Sequence, residues 1–250
     1  MRWGRMVILA AGLLLVWQVV VMISGVPAYI LPGPVRVVRA LVSHSGTIFR
    51  HTLVTGMEIV AGLLIGTVFG AVSALVMMAF KPVKRWLFPV LVISQAIPVF
   101  ALAPLLVLWF GYGIGSKIVM AVLIIFFPVT AAFYDGLRQT DSEWLELARV
   151  MDASPLAILR YIRIPAALPA FASGLRVATA VAPIGAVVGE WVGASRGLGF
   201  YMLHANARMQ TDRMFAALMV LAALALFLYA SVDRIMIRLV YWQNEAEKET

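Results

Sequence analysis

Six long apolar stretches, separated by short polar segments, constrain this chain more than any other feature. Each approaches or exceeds the roughly 20 residues that a helix needs to cross about 30 Å of hydrocarbon. We therefore predict an all-α, polytopic membrane protein with six transmembrane helices in a single domain, residues 1–250. The predicted spans are Met6–Ile23, Val54–Phe80, Leu87–Phe110, Ser116–Tyr134, Phe171–Glu190 and Met214–Val232.

The composition agrees with a lipid environment. The chain is 63% hydrophobic and 13% charged, with a mean hydropathy of +0.96, whereas soluble domains are about 25% charged. A net charge of +8 could indicate nucleic-acid binding, but basic residues beside apolar spans are more typical of the cytoplasmic side of a membrane protein. The chain has no cysteine, which excludes disulfides, thiol catalysis and thiolate metal sites.

The distribution of Lys and Arg predicts the orientation. With six spans, both termini share a side, and placing them in the cytoplasm puts thirteen of the 20 basic residues inside or near the inner helix ends. Among these thirteen are Arg2, Arg5, Lys84, Arg138 and Lys248. This bias follows the positive-inside rule.

Glycine and proline indicate how the helices pack. Small residues at every fourth position allow helix backbones to approach closely in a membrane. Gln95 and Pro98 lie together in the third span, where proline removes a helix hydrogen bond and kinks the axis. Kinked helices suit a gated pathway, although they also occur in purely structural bundles. Glycines at the four-residue spacing that allows close packing form two series in the chain. One is Gly62, Gly66 and Gly70, and the other is Gly185, Gly189 and Gly193.

No pattern in the sequence indicates catalysis. The stretch 111–117 resembles a phosphate-binding loop but lacks its Gly-Lys-Ser/Thr ending, and we interpret it as a turn between spans. The histidines, His44, His51 and His204, have no partner at metal-ligand spacing. We therefore predict no catalytic residue, no metal site and no cofactor bound by this chain, and we expect that it is not an enzyme.

Two carboxylates lie in or beside the spans, and each has two interpretations. Glu190 is either a residue of the gate or pathway, or a structural residue satisfied by Arg196 or by backbone amides of the glycine-rich turn after it. For Glu58 the sequence favours a structural role. Because a charge facing lipid is costly, we predict that Gln95 and Glu190 both face the interior of the bundle.

The charged segment from Glu143 to Pro169 interrupts the apolar pattern and predicts two short helices. Ser142 is the predicted cap of the first helix. Ser154, followed by Pro155, is the predicted cap of the second. We expect Pro165 and Pro169 to end that second helix before span five begins.

The predicted second helix of this segment is amphipathic. Its apolar stripe is Leu156, Leu159 and Ile162, with Arg160 and Arg163 facing elsewhere. Such a segment can dock into a groove on another protein, or it can lie on anionic lipid. The acidic residues of the first helix favour the protein partner.

This segment resembles the signature of bacterial ABC-importer permeases, Glu-Ala-Ala, three residues, Gly, nine residues, Ile-x-Leu-Pro. Here it reads Glu146-Leu-Ala148, then Asp152, then Ile162-Arg-Ile164-Pro165, with the spacing kept. Asp152 replaces the usual glycine, although Asp tolerates a left-handed backbone better than most residues. The resemblance implies that Glu146, Ala148, Asp152, Ile162, Ile164 and Pro165 couple the chain to an ATPase.

The resemblance extends over nearly the whole chain. The motifs at 31–34, 108–113, 165–170 and 189–199 are similar to those of nitrate/sulfonate/taurine-type permeases. Residues 182–191 and 203–212 are most similar to permeases for pyrimidine precursors of thiamine. By this resemblance, 1–53 holds the N-terminal helix and a periplasmic segment, 54–236 the core helices, and 135–170 the coupling loop.

The family implies a type I importer fold in the bacterial inner membrane and a set of partners. These are a second permease copy, two ATPase subunits that bind ATP and Mg, and a periplasmic binding protein. The pathway residues would include Gln95, Pro98 and Glu190, and the solute would be a hydroxymethylpyrimidine or aminopyrimidine, or alternatively a sulfonate, taurine or nitrate. A secondary transporter or channel, or a membrane scaffold protein, is the alternative class, but neither explains the docking segment.

Overall fold

A computed structural model of the chain describes residues 2–242, and Lys248 of the predicted orientation lies outside them. Every regular element in this range is helical, so the all-α prediction is confirmed. The residues between the helices form turns and short extended stretches. The helices are α1 (Arg2–Ser24), α2 (Pro34–Ser43), α3 (Ser45–Ala79), α4 (Lys81–Ala96), α5 (Val99–Phe110), α6 (Ile114–Arg138), α7 (Ser142–Val150), α8 (Pro155–Ile158), α9 (Ile164–Gly193), α10 (Leu198–Ala207) and α11 (Thr211–Leu239), with a π-helical turn at Leu159–Arg163 between α8 and α9.

Four of the predicted spans are single helices long and apolar enough to cross a membrane. These are α3, α6, α11 and the helix that includes α9. The first predicted span lies in α1, in which Ala11–Ser24 is an apolar helical stretch. The predicted apolar helices are therefore present, with one exception in the third span.

The prediction of one kinked helix for the third span was wrong. Residues 87–110 lie in two helices, α4 and α5, whose axes bend by 103° at the break. Ile97 is extended, with φ −86° and ψ 118°, and Pro98 forms the N-cap of α5. The residue before a proline is disfavoured in helical geometry, so the chain breaks here instead of bending.

The core of the molecule is α6, held between α3 and α9. Gly62, Gly66 and Gly70 of α3 leave room for Ala121, Ile125 and Val129 of α6, and a Cβ at any of these glycines would collide with its partner. On another side of α6, Gly185 and Gly189 of α9 pack against Ala121 and Lys117. Both glycine series therefore mark close helix packing, as predicted.

The prolines at the start of the fifth span do not end a helix, which corrects a prediction. The backbone runs from α8 through the π turn into α9 with helical geometry. The N–H of Ile164 bonds to the carbonyl of Leu159, five residues earlier. Pro165, which has no N–H to donate, lies directly after this π turn, where the hydrogen-bond pattern changes from five residues back to four.

Candidate functional site

The first helix of the charged segment, α7, begins one residue earlier than predicted. Asp141, not Ser142, is the N-cap, and its carboxylate accepts the N–H of Glu143 at 2.9 Å. Ser142 is the first helical residue. Both side chains are good caps, and the carboxylate also interacts favourably with the positive end of the helix dipole. Glu146 on this helix is exposed and Ala148 is buried.

A tight bend joins α7 to α8, and Asp152 occupies its left-handed position with φ 57°. The N–H of Ala153 bonds to the carbonyl of Ala148 at 3.0 Å, and that of Asp152 to the carbonyl of Arg149 at 2.9 Å. This pair of bonds is the Schellman motif, which usually places glycine in the left-handed position. The bend therefore has the geometry that the usual glycine would give.

The second helix begins as the sequence predicts. The hydroxyl of Ser154 accepts the N–H of Ala157 at 3.2 Å, and Pro155 is the first helical residue. Its predicted apolar stripe is divided, however, because Leu156 and Leu159 line one surface groove and Ile162 lines another. Arg163 was expected to face away from the apolar stripe. It lines the same groove as Leu156 and Leu159, and its guanidinium donates to the carbonyl of Leu137. The π turn rotates the residues that follow Leu159 and so breaks a stripe drawn at α-helical spacing.

We call residues 141–165 the docking elbow. Two grooves flank it, of about 540 Å³ and 620 Å³, and both are predominantly apolar. Ala148, Ile162 and Pro165 line the smaller groove together with exposed Trp144 and Met151. Glu146 is exposed on α7, and Ile164 packs inward against the cluster around Phe133 and Tyr134. The structure thus brings three of the predicted coupling residues to one surface and turns Ile164 away from it.

The predicted pathway residues do not come together within one chain. Gln95 and Pro98 lie at the break between α4 and α5 and are exposed, and the nearest polar partner of Gln95 is Ser94, at 3.5 Å. The prediction that Gln95 faces the interior of its own bundle was therefore wrong. Glu190 is 1% exposed, as predicted for an inward-facing residue.

Glu190 holds the turn between α9 and α10. Its carboxylate accepts the hydroxyl of Thr55 at 2.6 Å, the N–H of Gly199 at 2.5 Å and the N–H of Phe200 at 3.3 Å. Gly197 has φ 114°, and a Cβ there would overlap this carboxylate. Of the two interpretations, satisfaction by backbone amides is observed, whereas Arg196 makes no ion pair with Glu190.

Lys117 is a buried residue that the sequence analysis missed. Its side chain is 2% exposed, and its ammonium donates to the carbonyls of Tyr112, Gly113 and Gly193. Glu58, also 2% exposed, faces the same small cavity, and its Oε2 has no hydrogen-bond partner within the described residues. The sequence does contain a signal: Lys117 is the last residue of the predicted turn 111–117 and the second residue of the predicted span Ser116–Tyr134, where a basic residue needs buried partners.

An ion pair that was not predicted from the sequence joins α9 to α11. Arg176 Nε lies 2.6 Å from Asp233 Oδ1, and each side chain is about one third exposed. Arg176 is one of the thirteen basic residues that the predicted orientation places inside or near the inner helix ends. Asp233, 57 residues later, is the only acidic residue in the second half of α11.

Comparison with known proteins identifies the family. Residues 66–240 match the model of the binding-protein-dependent transport system inner membrane component. The chain belongs to this family of ABC-importer permeases. A "Probable ABC transporter permease protein" of Haemophilus influenzae is 57% identical over 96% of this chain and 98% of its own length.

Other relatives are named for particular solutes. The formylaminopyrimidine transport permease protein ThiX of Halalkalibacterium halodurans is 36% identical over 93% of both chains. The riboflavin transport system permease protein RibX of Chloroflexus aurantiacus is 37% identical over 92% of this chain and 87% of its own length. Permeases named for aliphatic sulfonates in Bacillus subtilis and for taurine in Escherichia coli are each 30% identical over 98% of this chain and 90% and 94% of their own lengths.

The fold also matches solved importers. A chain from the inward-facing MetNI methionine ABC transporter aligns with a TM-score of 0.61 at 21% identity, covering 78% of this chain and 95% of that one. The type I importer-permease fold predicted from the sequence is therefore confirmed, and the chain is a multi-pass membrane permease.

Proposed function

We propose that this permease imports a small heteroaromatic solute, a hydroxymethylpyrimidine or aminopyrimidine precursor of thiamine, and that its docking elbow transmits the motion of a separate ATPase. The observation that carries the coupling part is the elbow itself. It combines a capped helix with exposed charge, a fixed left-handed bend, and two apolar grooves. Exposed apolar grooves with polar rims are typical of protein–protein contact sites.

The connection from the elbow to the core supports this role. Because α8, the π turn and α9 follow one another without a loop, a displacement of the elbow moves α9 directly. Helix α9 packs along α6 through Gly174, Gly185 and Gly189, where a Cβ would contact α6. A stiff lever packed closely on a central helix transfers movement better than a flexible linker would.

The break between α4 and α5 supports the placement of the pathway. Irregular backbone at membrane depth is tolerated only where protein covers it or where it lines a water-filled cavity. Ser94, Gln95, Ile97 and Pro98 are all exposed on the single chain. We infer that a second permease copy covers this surface and that the polar break faces the solute pathway between the two copies.

The relatives support a heteroaromatic solute more than a sulfonate. Those named for formylaminopyrimidine and riboflavin are 36% and 37% identical, compared with 30% for those named for sulfonates and taurine. A sulfonate, taurine or nitrate is the alternative solute. In either case, a periplasmic binding protein delivers the solute, and both termini of the permease lie in the cytoplasm.

Charge reversal at Glu146 tests the coupling role. Glu146→Lys reverses an exposed charge in the middle of α7, and we expect ATPase capture on copurification from membranes to fall about tenfold, equivalent to about 1.4 kcal/mol. The matched control is Arg208→Glu, a charge reversal at an exposed residue at the opposite end of the bundle. Normal ATPase capture by Glu146→Lys, with normal membrane insertion, would show that the elbow does not dock the ATPase through this residue.

A further inference from the structure

An aromatic pocket lies at the end of the bundle opposite the docking elbow. Its volume is about 420 Å³, within the range of small-molecule sites. Four rings line it, from the α5–α6 turn, the end of α9, and α10. They belong to Tyr112, Trp191, Phe200 and His204.

The rings of this pocket are both accessible and ordered by contacts. Phe200 and His204 lie with ring centroids 4.1 Å apart, and His51 packs on the same Phe200 at 6.0 Å. Trp191 is 49% exposed, so a large part of its indole is available to a ligand. A partly exposed aromatic pair next to a cavity offers stacking surface at little entropic cost.

Hydrogen bonds to two side chains hold the backbone at and before Phe200. Its N–H and that of Gly199 donate to the buried carboxylate of Glu190, and the N–H of Gly197 donates to Nδ1 of His51 at 3.0 Å. Phe200 is therefore held on an anchored helix start, not on a free loop. A binding surface on anchored elements keeps its geometry when the ligand arrives.

We propose that this pocket is a subsite that holds one planar, uncharged heteroaromatic ring by stacking on Phe200 and Trp191. The inference rests on the proposed function, which supplies the solute class. Glu190 lines the pocket, but its carboxylate is buried and accepts three donors. The ammonium of the nearby buried Lys117 donates to three backbone carbonyls. Among the described residues that line the pocket, none is Lys or Arg. The pocket therefore offers ring faces and no free cation, which suits a neutral aminopyrimidine, whose ring stacks on aromatic faces as nucleobases do, better than an anionic sulfonate.

The absence of cysteine in the chain allows a direct labelling test. Leu203 lines the pocket and is 42% exposed, so Leu203→Cys is the reporter. Asn206→Cys, at an exposed position on the same helix that does not line the pocket, is the matched control. The permease is copurified with its ATPase, placed in lipid nanodiscs together with the binding protein, and labelled with a maleimide in the presence of hydroxymethylpyrimidine or taurine.

The proposal predicts that hydroxymethylpyrimidine slows labelling of Leu203→Cys and that taurine does not. Labelling of Asn206→Cys should respond to neither. Adding Phe200→Leu should raise the concentration needed for protection about tenfold, the effect of losing roughly one stacking contact. Phe200→Tyr should retain protection because the aromatic face is kept.

Three results would overturn the subsite. The first is no protection by hydroxymethylpyrimidine in a complex that transports it, which would leave the proposed function intact. The second is equal protection by taurine. The third is a Leu203→Cys that is unreactive without ligand and cross-links to a second permease copy, which would mean that a partner chain fills the pocket. Failure of the wild-type chain to capture an ATPase at all would instead contradict the proposed function.

Discussion

At the residue scale, two unusual positions have clear physical causes. Asp152 adopts a left-handed backbone at the elbow, and Lys117 is a buried cation bonded to three carbonyls. The motif resemblance indicated the position of Asp152, because this is where the family usually has glycine. The hydrogen-bond partners of Lys117 could not be predicted from residue spacing alone, because they are backbone carbonyls, and those of Tyr112 and Gly193 are 81 residues apart in the chain.

Asp152 gives a paired prediction. Asp152→Gly should leave thermal stability unchanged or raise it by up to about 1 kcal/mol, because glycine adopts positive φ without strain. Asp152→Val should lower it by about 1–2 kcal/mol, since a β-branched residue is a genuine outlier there. Thermal unfolding of the permease–ATPase complex in detergent measures both. Equal unfolding temperatures for the two variants would mean that the bend does not depend on this φ.

Removing Lys117 should be costly. Lys117→Met leaves the carbonyls of Tyr112, Gly113 and Gly193 without their donor and leaves buried Glu58 and Glu190 without a nearby cation. A buried acceptor left without its donor costs about 1–3 kcal/mol, so we expect a large fall in unfolding temperature and in the yield of folded protein. The control is Lys81→Met, at an exposed residue at the other end of the bundle. Equal stability of the two variants would contradict the structural role of Lys117.

At the element scale, the sequence predicted packing better than helix boundaries. The glycine series at four-residue spacing correctly marked where α3 and α9 approach α6, because close approach depends on side-chain size. The prolines were harder to interpret. Pro98 was expected to kink a span and instead separates two helices, whereas Pro165 was expected to end a helix and instead follows a π turn that continues it.

Part of the candidate site was also predictable at this scale. The Ser154 cap follows from local chemistry that the sequence shows directly, and the position of the bend follows from the motif resemblance. The division of Leu156, Leu159 and Ile162 between two grooves does not, because it depends on a π turn that shifts the helical register. The exposure of Gln95 likewise depends on which surfaces a single chain leaves open.

The broken helix pair α4–α5 gives the element-scale prediction. If the break lines the pathway, Gln95→Leu should reduce ATP-dependent uptake of hydroxymethylpyrimidine several-fold while the permease still captures its ATPase, because only a polar contact on the path is lost. Uptake into proteoliposomes and copurification are measured on the same preparation, with Ile93→Leu, an exposed apolar exchange on α4, as the control. Unchanged uptake with normal assembly would remove Gln95 from the path. Loss of assembly would assign it a structural role instead.

At the scale of the whole molecule, the two candidate functional regions lie at opposite ends of one helix bundle. One end carries the docking elbow and its grooves, and the other carries the buried polar cluster and the aromatic pocket. Helix α9 runs between them, from the π turn after α8 to the turn that Glu190 holds. In the proposed mechanism, a pull on the elbow would reach the opposite end through this single helix, which packs on α6.

The central claim is that this chain moves its solute only when a separate ATPase drives it. The measurement is uptake of hydroxymethylpyrimidine into proteoliposomes that contain the permease, with ATPase, binding protein and ATP each present or omitted. The account predicts uptake only when all of them are present, and loss of uptake with Glu146→Lys. Uptake by the permease alone, driven by an ion or solute gradient, would contradict it and would indicate a secondary transporter or channel.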